Sequence, residues 1–273
     1  MNTMIMVAPN GARRTKADHP SLPISAGELA AEAQACLGAG ASAIHLHVRG
    51  DDDRHVLDAG RYLEAVAAIR AQVGDQMVMQ ITTEAVGVYS DDEQMACVRA
   101  VKPQAVSMAL KEIVPVGKNT DVAREFFRWL QEEKIAPQFI LYDASEVARF
   151  FALQSQGVIP FAKPFLLFVL GRYAKDQQSD PRDLDPFLAT LAGRAAHWAM
   201  CAFGSREAEC AVYAAKKGGH VRVGFENNLV LPNGNIAPSN SALVAATRTE
   251  LIEAGLQVMN VKDVQELLMD SLR

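Results

Sequence analysis

The sequence predicts a (β/α)8 barrel formed as one domain over residues 1–273. Three observations carry this expectation. Short apolar runs alternate with amphipathic helical stretches from end to end, and strict alternation implies a parallel sheet. Eight such units fit 273 residues, close to the ~250 typical of this barrel. An open doubly wound sheet would commonly carry Gly-x-Gly-x-x-Gly after its first strand, and Asn10-Gly11-Ala12 does not supply it. No linker or shift in composition divides the chain.

The elements follow in order. Thr3–Ala8 reads as the first strand, followed by a long polar loop, PNGARRTKADHPSLPIS. Ser25-x-x-Glu28 is a capping box that starts a helix running to about Gly38. The second strand is Ala43–Val48 and its helix runs from about Ala59 to Val73. Met77–Thr82 is the third strand. Ser90-x-x-Glu93 caps the next helix, which stops at Lys102-Pro103 because the residue before proline resists the helical conformation. The fourth strand is Ala105–Leu110, with a helix over about Val122–Lys134. Pro137 opens the fifth strand, Gln138–Tyr142, with a helix over about Ser145–Gln156. Phe165–Leu170 is apolar throughout, as expected of a strand covered on both faces. A helix over about Leu184–Gly193 leads to the seventh strand, Trp198–Phe203, and its helix, about Ser205–Lys217. His220–Phe225 is the eighth strand. Helices over about Asn240–Ala254 and Val261–Leu272 close the chain, the last capped by Asn260.

Composition narrows the class. Hydrophobic residues make up 49% of the chain, enough for a large core, and the net charge of -5 argues against a nucleic-acid binder. No apolar run reaches the ~20 residues that span a bilayer. The opening MNTMIMVAPNGARR places its charges after the apolar run, the reverse of a signal peptide. Cys36, Cys97, Cys201 and Cys210 form no C-x-x-C pair, which fits free thiols in a reducing cytoplasm.

Chemistry in such a barrel sits at the carboxyl ends of the strands. His45 and His47 fall there, two apart on one strand and therefore on the same side, an arrangement that can chelate a divalent metal. Arg49 follows at the strand's end, where it would meet substrate. A third ligand is expected, and Glu226 in VRVGFENN is the candidate. Arg222 and Glu226, four apart, would share the barrel-facing side, with Gly224 leaving room for a ligand or metal. Thr82, Thr83 and Ser107 offer hydroxyls for a substrate carboxylate, although capping a helix is the commoner use. His197 and His220 fall at the opposite end and are read as structural. Asp51-Asp52-Asp53 reads as a solvated loop, and Arg13, Arg14 and Lys16, though able to meet phosphates, read on their own as ordinary solvated surface. No nucleophile–histidine arrangement and no Walker loop is evident.

Several segments in order, VAPNGARRTKADHPSLPIS, AGASAIHLHVR, QITT, FVLG and GGHVRVGFENN followed by SNSALV, resemble the β-keto acid cleavage enzyme family over nearly the whole chain. The resemblance implies a zinc-dependent (β/α)8 enzyme that exchanges a β-keto acid with acetyl-CoA, giving acetoacetate and a new acyl-CoA, and a homo-oligomer. It implies zinc on His45, His47 and Glu226, Arg222 as the active-site arginine, and Thr82 or Thr83 with Ser107 near the substrate carboxylate. The sequence departs from the family at three places. Asn227 occupies the catalytic position where the family has an aspartate, Ile140 stands where a glutamate is common, and Asn10 replaces a threonine. An amide cannot take up a proton, so either Glu84 or Asp143 substitutes as the base or the chemistry differs. Two alternatives stay open: another metal-dependent lyase or hydrolase on the same barrel, or a weakly catalytic homologue that binds a small acid.

Overall fold

The computed structural model describes residues 2–273. Eight parallel strands close into a barrel: β1 (Ile5–Val7), β2 (Ala43–Leu46), β3 (Val78–Thr82), β4 (Ala105–Ala109), β5 (Ala136–Leu141), β6 (Phe165–Leu170), β7 (His197–Ala202) and β8 (His220–Val223). Each strand pairs with its neighbours in sequence, and β1 closes the ring against β8, with Met6 opposite Arg222. The expected fold class is the one observed.

Helices wrap the barrel: α1 (Ala26–Ala39), α2 (Ala59–Val73), α3 (Asp91–Val101), α4 (Leu110–Ile113), α5 (Asp121–Glu132), α6 (Ala144–Ser155), α7 (Asp185–Leu191), α8 (Glu207–Lys216), α9 (Asn240–Glu253) and α10 (Val261–Ser271). The Ser25 and Ser90 capping boxes form as the sequence predicts. Helix α3 ends with Lys102 in the left-handed region directly before Pro103. The one-turn α4 begins at Leu110, which the sequence assigned to a strand. Among the described residues no helix is long and apolar enough to cross a membrane.

The lower end of the barrel is built for stability. Met4 separates Asn2–Thr3 from β1, and its N–H donates to His220 Nδ1 at 3.2 Å. Asn2–Thr3 then forms a separate short pair with Gln257–Val258. His197 Nε2 lies 2.8 Å from Asp270 Oδ2, which also receives Lys163 at 2.6 Å. Both histidines are therefore structural, as their position predicts. The four cysteines are buried and free.

The upper end of β8 differs from expectation. The strand stops at Val223, two residues early, and Gly224–Asn228 is a tight turn in which Asn227 and Asn228 N–H groups both donate to the Gly224 carbonyl. Gly224 does not leave space for a ligand. A Cβ there would lie 2.6 Å from the Ala8 carbonyl oxygen and 2.9 Å from Asn240 Oδ1, and its φ of +135° is one that side chains rarely allow. The space is used by the protein itself. Glu226 N–H donates to the Ala8 carbonyl, Phe225 N–H to Asn240 Oδ1, and Gly224 N–H to Glu207 Oε1. Burial pushes the Glu207 carboxyl up to about 8. Gly224→Ala is expected to cost about 3 kcal/mol of stability through backbone strain, read from the midpoint of denaturant unfolding. An unchanged midpoint would show that the turn relaxes freely.

Candidate metal centre

Strand alternation sends Ala43, His45 and His47 to the barrel interior. The two imidazoles meet with their Nε2 atoms 3.0 Å apart, and each residue is 1% exposed. Glu226 reaches the same space from the turn after β8. Its Oε2 is 3.4 Å from His45 Nε2 and 3.7 Å from His47 Nε2, and its Oε1 accepts from Arg222 Nη2 at 3.2 Å. Gly11, with φ +61°, lets the Glu226 side chain lie flat, since a Cβ there would sit 2.6 Å from Glu226 Cγ. One ligand atom from each of the three residues falls within 4.8 Å of the others.

Hydrogen bonding outside the trio fixes where the protons are. Gln80 Nε2 donates to Gln138 Oε1 at 3.1 Å, so the Gln80 amide oxygen faces His45 Nδ1, 2.8 Å away. An amide oxygen only accepts, so His45 carries its proton on Nδ1. His55 Nε2 faces the Glu84 backbone carbonyl at 3.0 Å and must donate to it. His55 Nδ1 is then an acceptor for His47 Nδ1–H at 3.4 Å. Both Nε2 atoms are thereby left as bare lone pairs aimed at each other. Glu226 Oε2 is buried and has no hydrogen-bond partner. Two imidazole nitrogens and a carboxylate oxygen facing one another without a proton repel unless a cation lies among them. The donor set therefore fits a divalent metal, with a further position left for substrate or water.

The protonation states agree. Burial, then the Arg222 charge, lowers His45 to about 4. Burial followed by His45 holds His47 well below the usual range, and burial lowers His55 to about 4. All three are neutral near pH 7, as metal ligation requires. Burial opposes ionisation of Glu226, but the Arg222 charge outweighs it, and its carboxyl sits below the ordinary value.

Above the trio opens a cavity that communicates with solvent. Ala109, Ile140, Val169 and Phe203 form apolar walls. Thr82, Glu84, Glu112, Tyr142, Arg13, Arg14 and Arg172 bring polar groups to it. Burial and the Glu226 charge push the Glu84 carboxyl up to about 7.

The residues singled out from the sequence divide. His45, His47, Glu226, Arg222 and Thr82 line the cavity together. Thr83 does not; its hydroxyl is turned to the Ser107 carbonyl. Ser107 is fully buried below the cavity, its hydroxyl without a partner. Arg49 is not turned toward substrate. Its guanidinium donates to the backbone carbonyls of Asn10, Gly11, Arg14 and Asp53, and so braces the first loop. Asn227 is buried beside the cavity rather than in its lining, its carbonyl receiving Gly204 N–H. Asp143 is the N-cap of α6, receiving Glu146 N–H. Arg13 and Arg14, read as ordinary surface, both border the cavity, Arg13 as an exposed residue and Arg14 half-buried.

Gln80, His55, Gly11 and Arg172 were not found by sequence reasoning. Gln80 shares its strand face with Thr82, so strand alternation carried a usable signal. His55 carried none, because it returns through the Arg49–His55 bridge, a loop contact without periodicity.

Three comparisons bear on this site. A model of the beta-keto acid cleavage enzyme family matches residues 2–269. The chain is 30% identical to a 3-keto-5-aminohexanoate cleavage enzyme of Fusobacterium nucleatum subsp. nucleatum, over 97% of each chain. It is 28% identical to a 3-oxoadipate:acetyl-CoA acetyltransferase of Cupriavidus necator, over 97% of this chain and 94% of that one. Among solved structures, ObcA bound to oxaloacetate superposes with a TM-score of 0.73 at 15% identity, covering 91% of this chain and 67% of that chain, a likeness of fold.

Replacing the acceptor behind His45 tests the proton assignment. Gln80→Leu is expected to weaken divalent-metal affinity by about 10- to 100-fold, measured by competition with a chromophoric chelator. Unchanged affinity would mean that His45 is oriented without Gln80.

Proposed function

The chain belongs to the beta-keto acid cleavage enzyme family, and we propose that it exchanges a β-keto acid with acetyl-CoA, with zinc held by His45, His47 and Glu226. The observation that carries the metal part is the set of three unprotonated, mutually facing donors. Acetyl-CoA enters through the curated relatives, one of which is named as an acetyl-CoA acetyltransferase. In the exchange the carboxymethyl unit leaves the keto carbon of the substrate and joins the acetyl carbon, giving acetoacetate. The freed acyl group joins the CoA sulfur, so atoms and electrons balance with no further reactant.

Zinc at this site would supply Lewis-acid polarisation of the keto oxygen. The chain's own residues do the rest. Arg222 pairs with Glu226 and keeps that carboxylate ionised and in place. Thr82 Oγ1 accepts from Glu84 N–H at 3.1 Å, so its own proton is free to donate to the substrate carboxylate. Ile140, Val169 and Phe203 exclude water from the reacting carbons. Glu84 is the proton acceptor in this reading: it lines the cavity, is a carboxylate, and is not spent on a cap as Asp143 is. Asn227 and Ile140 take no proton, which leaves that role to it.

Purified protein is expected to carry about one zinc per chain and to lose β-keto acid cleavage on chelation, with recovery on adding zinc back. Absence of zinc together with no acetyl-CoA-dependent loss of any β-keto acid in a panel would end the proposal. Turnover without CoA would point to a metal-dependent hydrolase or lyase instead. Glu84→Gln is expected to lower kcat by about 100-fold or more in steady-state assays. A kcat unchanged by the amide would remove Glu84 as the base.

A further inference from the structure

The cavity holds more positive charge than the metal trio uses. Arg222 is committed to Glu226. Arg14 and Arg172 also line the cavity, and among the described residues neither has a carboxylate oxygen within 4.0 Å. Both are held in place. Arg14 Nη1 donates to the carbonyl of Phe225, the residue before Glu226, and the Arg14 carbonyl is gripped by Arg49. The Arg172 guanidinium lies over the Phe203 ring, 5.3 Å from its centroid, while Gln177 Nε2 donates to the Arg172 carbonyl at 3.3 Å. Burial lowers Arg14 from its ordinary value; Asp18, Glu207 and Glu226 act against this and Arg172 adds like-charge repulsion. Two guanidiniums fixed on one cavity without a bridging carboxylate form a receptor for an anion.

Resting on the proposed function, we infer that the keto acid carries a second carboxylate, at the end remote from the carbons that react, and that Arg14 and Arg172 receive it. The cavity accounts for the rest of such a molecule. The first carboxylate meets the Thr82 hydroxyl, and a short alkyl segment lies along Ile140, Val169 and Phe203. The other anion that enters this site is the diphosphate of CoA. It is held a full pantetheine arm from the thioester carbon, whereas Arg14 is bonded to the residue directly before Glu226.

A matched pair of substrates tests this: 3-oxoadipate and 3-oxohexanoate, which differ in the terminal carboxylate. Turnover with acetyl-CoA is measured beside calorimetric binding of each acid to the metal-loaded protein without acetyl-CoA. Expected is a preference of about 100-fold in kcat/KM for the dicarboxylate, with tighter binding in the same direction. In Arg172→Gln and Arg14→Gln, the dicarboxylate should lose about 10-fold or more; in Arg172→Gln, KM for acetyl-CoA and turnover of 3-oxohexanoate should change little. Equal binding of the two acids by the unaltered protein overturns the inference. So does a loss in the variants that falls on KM for acetyl-CoA with either acid, which would assign the arginines to CoA phosphates. Selective binding of the dicarboxylate without any turnover keeps the dianion site and rejects the acyl-exchange reaction.

Discussion

Two buried imidazole nitrogens, facing each other without a proton between them, set the terms for the upper half of this barrel. Each is placed in that state from behind, His45 by the amide oxygen of Gln80 and His47 through His55 to a backbone carbonyl. Hydrogen bonds that act on Nδ1 thus decide the chemistry at Nε2. Glu226 adds a carboxylate oxygen that faces those nitrogens at 3.4 and 3.7 Å without a hydrogen-bond partner of its own. An arrangement that is repulsive by itself is the signature of a site shaped for a cation, and the surrounding loops are organised to hold it together.

Arginine serves three purposes around the barrel mouth, and sequence alone does not separate them. Arg49 spends its donors on loop carbonyls and fixes the first loop. Arg222 spends a donor on the metal-site carboxylate. Arg14 and Arg172 keep their charge open to the cavity. The difference lies in what each side chain meets across the barrel mouth, a long-range property, while the local sequence around all four is that of a strand end or loop.

This explains which features were legible beforehand. The barrel followed from the alternation of apolar runs with capped helices, since each unit's pattern is local and the closure follows from their number. His45, His47 and Glu226 were legible because strand period and the strand-end rule together restrict what can converge. Arg222 and Thr82 followed by the same logic. The end of β8 was misjudged because Gly224 was read for the space it leaves around a ligand, when its role is to let the Ala8 carbonyl approach. Thr83, Ser107, Arg49 and Asn227 carry suitable side chains in suitable places. Their orientation depends on neighbours that only the folded barrel supplies.

The closure of β1 on β8 has a consequence for how the protein acquires its site. The histidines lie at the second strand and Glu226 just past the eighth, with only β1 between them, so the three candidate ligands straddle the seam where the two ends of the barrel meet. The contacts that build the site are therefore among the longest-range in the molecule, formed only when the ring shuts. A metal bound there staples that seam and favours the shut ring over every open one. A cation held by these donors would thus lock the assembly of the barrel as well as serve chemistry.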